Sequence, residues 1–105
     1  MANRIETDLL GEVRVPLGAL YGAQTMRAVG NFPLGSQRTI SSFPPLIRAL
    51  LLVKKAAALT NQAIGALPED KAQVIVRAAD RLLLQLPPGE FPIHCLHGGG
   101  GTSAN

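Results

Sequence analysis

Residues 41–64 read SSFPPLIRALLLVKKAAALTNQAI. In this stretch Arg48, Lys55 and Gln62 recur every seven positions, with Lys54 and Asn61 beside them. Nearly everything else after the two prolines is Leu, Ile, Val, Ala or Thr60. The period predicts an α-helix with one wet stripe and a broad apolar surface. Ser41 or Ser42 is the expected cap, Pro44 and Pro45 suit a first turn, and Gly65 is the expected stop.

Working outward, residues 69–85 predict a second helix. Pro68 suits its first position, and Glu69 and Asp70 complement the positive end of its dipole. Gln73, Arg77, Asp80 and Arg81 mark its polar side, and Pro87-Pro88-Gly89 ends it after Leu86. The short connection predicts an antiparallel helical hairpin. Toward the N-terminus, Gly11, Pro16, Gly18 and Gly22 punctuate short segments, and Val13-Arg14-Val15 alternates apolar and polar. That pattern predicts a short hairpin or irregular extended arm. A brief helical turn over residues 25–29 follows, broken by Gly30, Pro33 and Gly35. The expected fold class is mainly α: an N-terminal extended arm or hairpin, then an antiparallel two-helix hairpin.

Both predicted helices are apolar around most of their circumference, and two helices cannot cover each other on all sides. The sequence therefore asks for partners it does not contain, either further chain or other copies. With 105 residues there is room for one small domain. A composition 47% hydrophobic and 16% charged excludes a disordered tail. The net charge of +3 is spread along the chain without basic-aromatic interleaving, which argues against a nucleic-acid partner. One cysteine, Cys95, cannot make an internal disulfide. The charged N-terminus lacks the apolar core of a signal peptide, and no stretch is long enough to span a bilayer, so the expected location is cytoplasmic, with no membrane partner.

The segment with the most chemical promise is the last, HGGGGTSAN, residues 97–105. Consecutive glycines let a ligand approach the backbone, and Thr102 and Ser103 are good helix caps. A helix starting there would offer hydroxyls and N–H groups to a carboxylate or phosphate. A flexible linker is the competing reading. It is not a P-loop, because no Gly-Lys-Ser/Thr follows. His94, Cys95 and His97 have no standard zinc spacing, so no metal site is assigned. His97, beside the glycines, is a candidate ligand contact. Arg27 reads as a carboxylate ligand or, preferably, as half of a structural ion pair. Lys54 and Lys55 read as a solvated helix face. Asp80 and Glu90 lack partners for acid–base work, so no catalytic residue is assigned.

The blocks RIETDLLGE (4–12), YGAQTMRA (21–28), NFP (31–33), VKKAAAL (53–59) and FPI (91–93) lead into GGGGTSAN (98–105). Their order and spacing resemble the N-terminal part of the aspartase/fumarase superfamily, and of its aspartate ammonia-lyases in particular. The resemblance implies a large, mainly helical, homotetrameric lyase that reversibly eliminates ammonia from L-aspartate to give fumarate, without an organic cofactor. It implies that residues 1–97 are a lyase N-terminal domain and that residues 98–105 are the first active-site loop and the start of a central helical domain. Thr102 matches a residue that binds the substrate carboxylate, and Gly100 and Gly101 match adjacent backbone positions. Ser103 and Asn105 lie in the same motif. The family's catalytic serine, second binding region and helical bundle lie beyond residue 105, so the chain by itself is expected to be inactive. The chain departs from the pattern at His94 and His97, where an acidic residue and a glutamine are common, and at Gly100, often alanine or serine. Class II fumarase is the alternative, since Gly22-Ala23-Gln24-Thr25 fits both. The opening Arg-Ile-Glu block, the Lys-Lys-Ala-Ala-Ala run and Gly-Thr-Ser favour aspartase. A non-catalytic helical interaction module and an independent anion-binding protein are the readings from other classes.

Overall fold

The computed structural model describes residues 2–34, 38–98 and 101–105. Two compact units make up the chain: residues up to 42 together with 88–105, and residues 43–87.

The first unit opens with a β-hairpin of β1 (Asn3–Asp8) and β2 (Gly11–Pro16), antiparallel, with Asp8 opposite Gly11 and Arg4 opposite Val15. The turn is built by chemistry at its two ends. Asp8 Oδ1 accepts the Leu10 amide at 2.9 Å, and Gly11 takes a φ of +110°, which a side chain would strain. Burial alternates as the pleat requires, but the half-buried positions of β1 are Arg4, Glu6 and Asp8, while Ile5 is exposed. A polar row thus occupies the side that an apolar pattern would have claimed.

That row binds the rest of the unit. The Arg4 guanidinium donates to the carbonyls of Pro16, Leu17, Ala19 and Tyr21 and pairs with Glu6. The helix α1 (Ala23–Asn31) is held to the hairpin turn by Arg27, which grips both Asp8 oxygens at 2.8 and 2.9 Å and the Gly11 carbonyl at 3.0 Å. The preferred reading of Arg27 as half of a structural ion pair therefore holds. The expected helical turn over residues 25–29 is longer than the sequence suggested: it passes through Gly30 and ends at Asn31, before Pro33. Gly35, the other expected breaker, lies outside the described residues.

The Arg27 guanidinium beside Asp8 holds its carboxyl below the usual aspartate value of 3.8; the Leu10 amide adds to this and desolvation opposes it. A carboxyl depressed on folding stabilises the fold above its unfolded value and loses that contribution as pH falls through the folded one. The hairpin–α1 junction is therefore fully held above pH 3.8 and loosens below it. Acid titration followed by circular dichroism checks this: Asp8→Asn should weaken the fold at neutral pH and flatten its loss of stability on the acid side.

The second unit is the helical hairpin of α2 (Pro44–Ala63) and α3 (Glu69–Leu84). Pro44 and Pro45 occupy the first turn of α2 as expected. The cap position, however, is Phe43 with no side-chain bond, and the Ser41 hydroxyl instead donates to the Phe91 carbonyl at 2.9 Å. Pro68 stands one position before α3 rather than inside it, and Glu69 and Asp70 fill the first turn. The end of α2 is a complete Schellman motif. Gly65 N–H bonds the Gln62 carbonyl, Ala66 N–H bonds the Asn61 carbonyl, and Gly65 carries φ +80°. No atom lies within 4 Å of where a Gly65 β-carbon would sit, so Gly65→Ala meets backbone strain alone. A loss of about 1–2 kcal/mol in urea unfolding is expected.

The antiparallel pairing is set by Arg48 donating to the Leu83 carbonyl and Lys55 to Asp80 at 2.7 Å. Ile47, Leu51 and Ala58 are buried on α2, and Ala72 and Ala79 on α3. Small residues here let the helix axes approach. The expectation of a solvated stripe through Lys55 and Gln62 needs correction. Both are half-buried, as is Lys54, and Lys55 reaches Asp80 on α3; Arg48 and Asn61 of the same stripe are exposed as expected. Leu46, Leu52, Val53 and Leu59 face outward, with Leu52 and Val53 55% and 65% exposed. Half-exposed, the Lys55–Asp80 pair contributes no more than about 1 kcal/mol; its value is register.

Candidate functional site

The chain approaches the glycine run through a clamped segment. Ile40 N–H bonds the Ile93 carbonyl and Cys95 N–H bonds the Arg38 carbonyl, both at 2.8 Å, and Thr39 and His94 form an antiparallel bridge. Ile40, Ile93 and His94 are buried there. Arg38 sits at φ +59°, an unusual conformation for a side chain of this size, held by the pairing on its C-terminal side. Glu90 accepts the Leu20 amide at 2.7 Å, which gives that carboxylate a structural task. Asp80 is taken by Lys55.

His94, Cys95 and His97 are together in one turn. Leu96 N–H donates to His94 Nδ1 at 3.0 Å, and His97 Nδ1 donates to the His94 carbonyl at 2.9 Å. Cys95 Sγ lies 4.0 Å from His94 Nδ1. Among the described residues there is no group of three or more His, Cys, Asp or Glu able to hold a metal ion.

Gly100, one of the expected ligand positions, lies outside the described residues, as does Gly99. From Gly101 onward the backbone makes one helical turn: the Gly101 carbonyl accepts the Ala104 and Asn105 amides at 3.1 and 3.3 Å. Gly101 has φ +89°, and a β-carbon there would meet no atom within 4 Å, so only backbone strain excludes a side chain. Thr102 is exposed, Ser103 is half-buried and Asn105 is exposed. Thr102 and Ser103 follow Gly101 directly in this turn.

Sequence reasoning missed Arg4, whose side chain contacts four backbone carbonyls and Glu6. Its signal was an arginine on a strand facing a Pro-Gly-Gly-rich loop, a loop whose carbonyls need donors.

No family model matches the chain. Among solved structures it is similar to the fumarate lyase:delta crystallin from Brucella melitensis, with a TM-score of 0.91 and 43% identity over 98% of this chain and 24% of that one. It is also similar to the class II fumarase from Schistosoma mansoni, with a TM-score of 0.86 and 33% identity over 98% of this chain and 21% of that one. The fold is that of the fumarate lyases over the residues present.

Among characterised sequences, the aspartate ammonia-lyase of Corynebacterium glutamicum is 48% identical over 97% of this chain and 19% of its own length. The class II fumarate hydratase of Ralstonia nicotianae is 41% identical over the whole chain and 22% of its own length. The chain is thus a homologue of the aspartate ammonia-lyases and class II fumarases, and it spans about a fifth of the length of the relatives it matches. No helix among the described residues is long and apolar enough to cross a membrane.

Proposed function

We propose that this chain supplies part of a lyase that reversibly eliminates ammonia from L-aspartate to give fumarate, and that it is inactive by itself. Thr102, with the backbone at Gly100 and Gly101, receives a substrate carboxylate, and Ser103 and Asn105 complete the loop. The observation that carries this reading is the turn begun by Gly101, which puts Thr102 and Ser103 at its start in a chain nearly half identical to an aspartate ammonia-lyase. Residues from 98 onward lead into the domain that completes the site.

The chemistry explains why hydroxyl and amide donors suit this place. A base removes a proton from the carbon beside one carboxylate. The electron pair enters that carboxylate, which becomes a doubly charged aci-form before the amine leaves from the neighbouring carbon. Donors aimed at it are worth most when that charge develops. The outward apolar faces of α2 and α3 support the need for more protein: Leu46, Leu52, Val53 and Leu59 on α2 and Val74 on α3 are exposed, a surface unlike that of a finished small domain. Assembly as a cytoplasmic homotetramer, with no organic cofactor, belongs to the same reading.

Class II fumarase is the second reading, favoured by 41% identity over the entire chain. The product of the complete reading frame, assayed for fumarate release from L-aspartate and from L-malate, separates the two. Turnover of aspartate is expected; activity on malate alone overturns the choice. Reading the nucleotide sequence past codon 105 tests whether the coding frame continues.

A further inference from the structure

No further inference is drawn: the strongest candidate, the exposed apolar face of α2 at Leu46, Leu52, Val53 and Leu59, carries none because nothing in the structure shows what covers it.

Discussion

Arg4→Met is expected to cost about 3 kcal/mol or more and to lower Tm by on the order of 15 °C. The Arg4 side chain holds four backbone carbonyls, at Pro16, Leu17, Ala19 and Tyr21, at 2.7 to 3.1 Å. Leu17, Ala19 and Tyr21 lie between β2 and α1, outside the strand ladder, while Pro16 closes β2 and its carbonyl also accepts the Ala19 amide. Hydrogen bonds from a charged donor are worth about 1.5–3 kcal/mol each when they exclude water, but they do not add, and the contact at Leu17 is exposed. Methionine fills the aliphatic stem and removes every donor, so the loss reads the bonds and not the packing. Arg4→Lys should recover a minor part, because one ammonium cannot reproduce a planar fork contacting four carbonyls. Arg14→Met, on an exposed site of β2, should stay within about 0.5 kcal/mol. Urea unfolding of all three variants is the measurement, and an equal effect at Arg4 and Arg14 would refute the structural role assigned to Arg4.

Local chemistry made much of this fold legible. Pro44-Pro45, Gly65 and Pro87-Pro88-Gly89 bound the helices because each acts through its own backbone, whatever surrounds it. The hairpin alternation at Val13-Arg14-Val15 survived for the same reason. What failed needed knowledge of the neighbour. On α2 nearly the whole circumference is apolar, so the position of Arg48, Lys55 and Gln62 did not reveal which flank meets α3. The seam fell at Ile47, Leu51 and Ala58, beside the polar residues, because Asp80 and the Leu83 carbonyl lie across from them. Ser41 was read as a cap from its local context, while its hydroxyl is used by Phe91, fifty residues away. Of the site, the donor-rich composition was readable from residues 98–105, while the backbone turn that begins at Gly101 was not. The backbone groups that His94 and His97 meet were not readable, since they depend on how the chain turns around Cys95.

Thr102→Val, tested in the complete enzyme, is expected to lower kcat/KM for aspartate by about 10²–10³-fold, with most of the loss in kcat. Valine keeps the shape and removes only the hydroxyl. In the ground state the substrate carboxylate bears one negative charge; after the proton leaves the adjacent carbon it bears nearly two. A donor bound to that group therefore gains strength as the reaction proceeds, and losing it raises the barrier more than it weakens binding. The split is diagnostic. A hydroxyl that merely holds the substrate would raise KM and leave kcat unchanged. Ser103→Ala, half-buried one residue on, should have a smaller effect if the carboxylate sits on Thr102. Gly101→Ala supplies the complementary perturbation, because it leaves both hydroxyls in place and strains the φ of +89° from which their turn begins. Loss of activity in Gly101→Ala with Tm preserved would indicate that donor geometry is what the loop contributes. Unchanged kinetics in Thr102→Val would move the carboxylate site elsewhere.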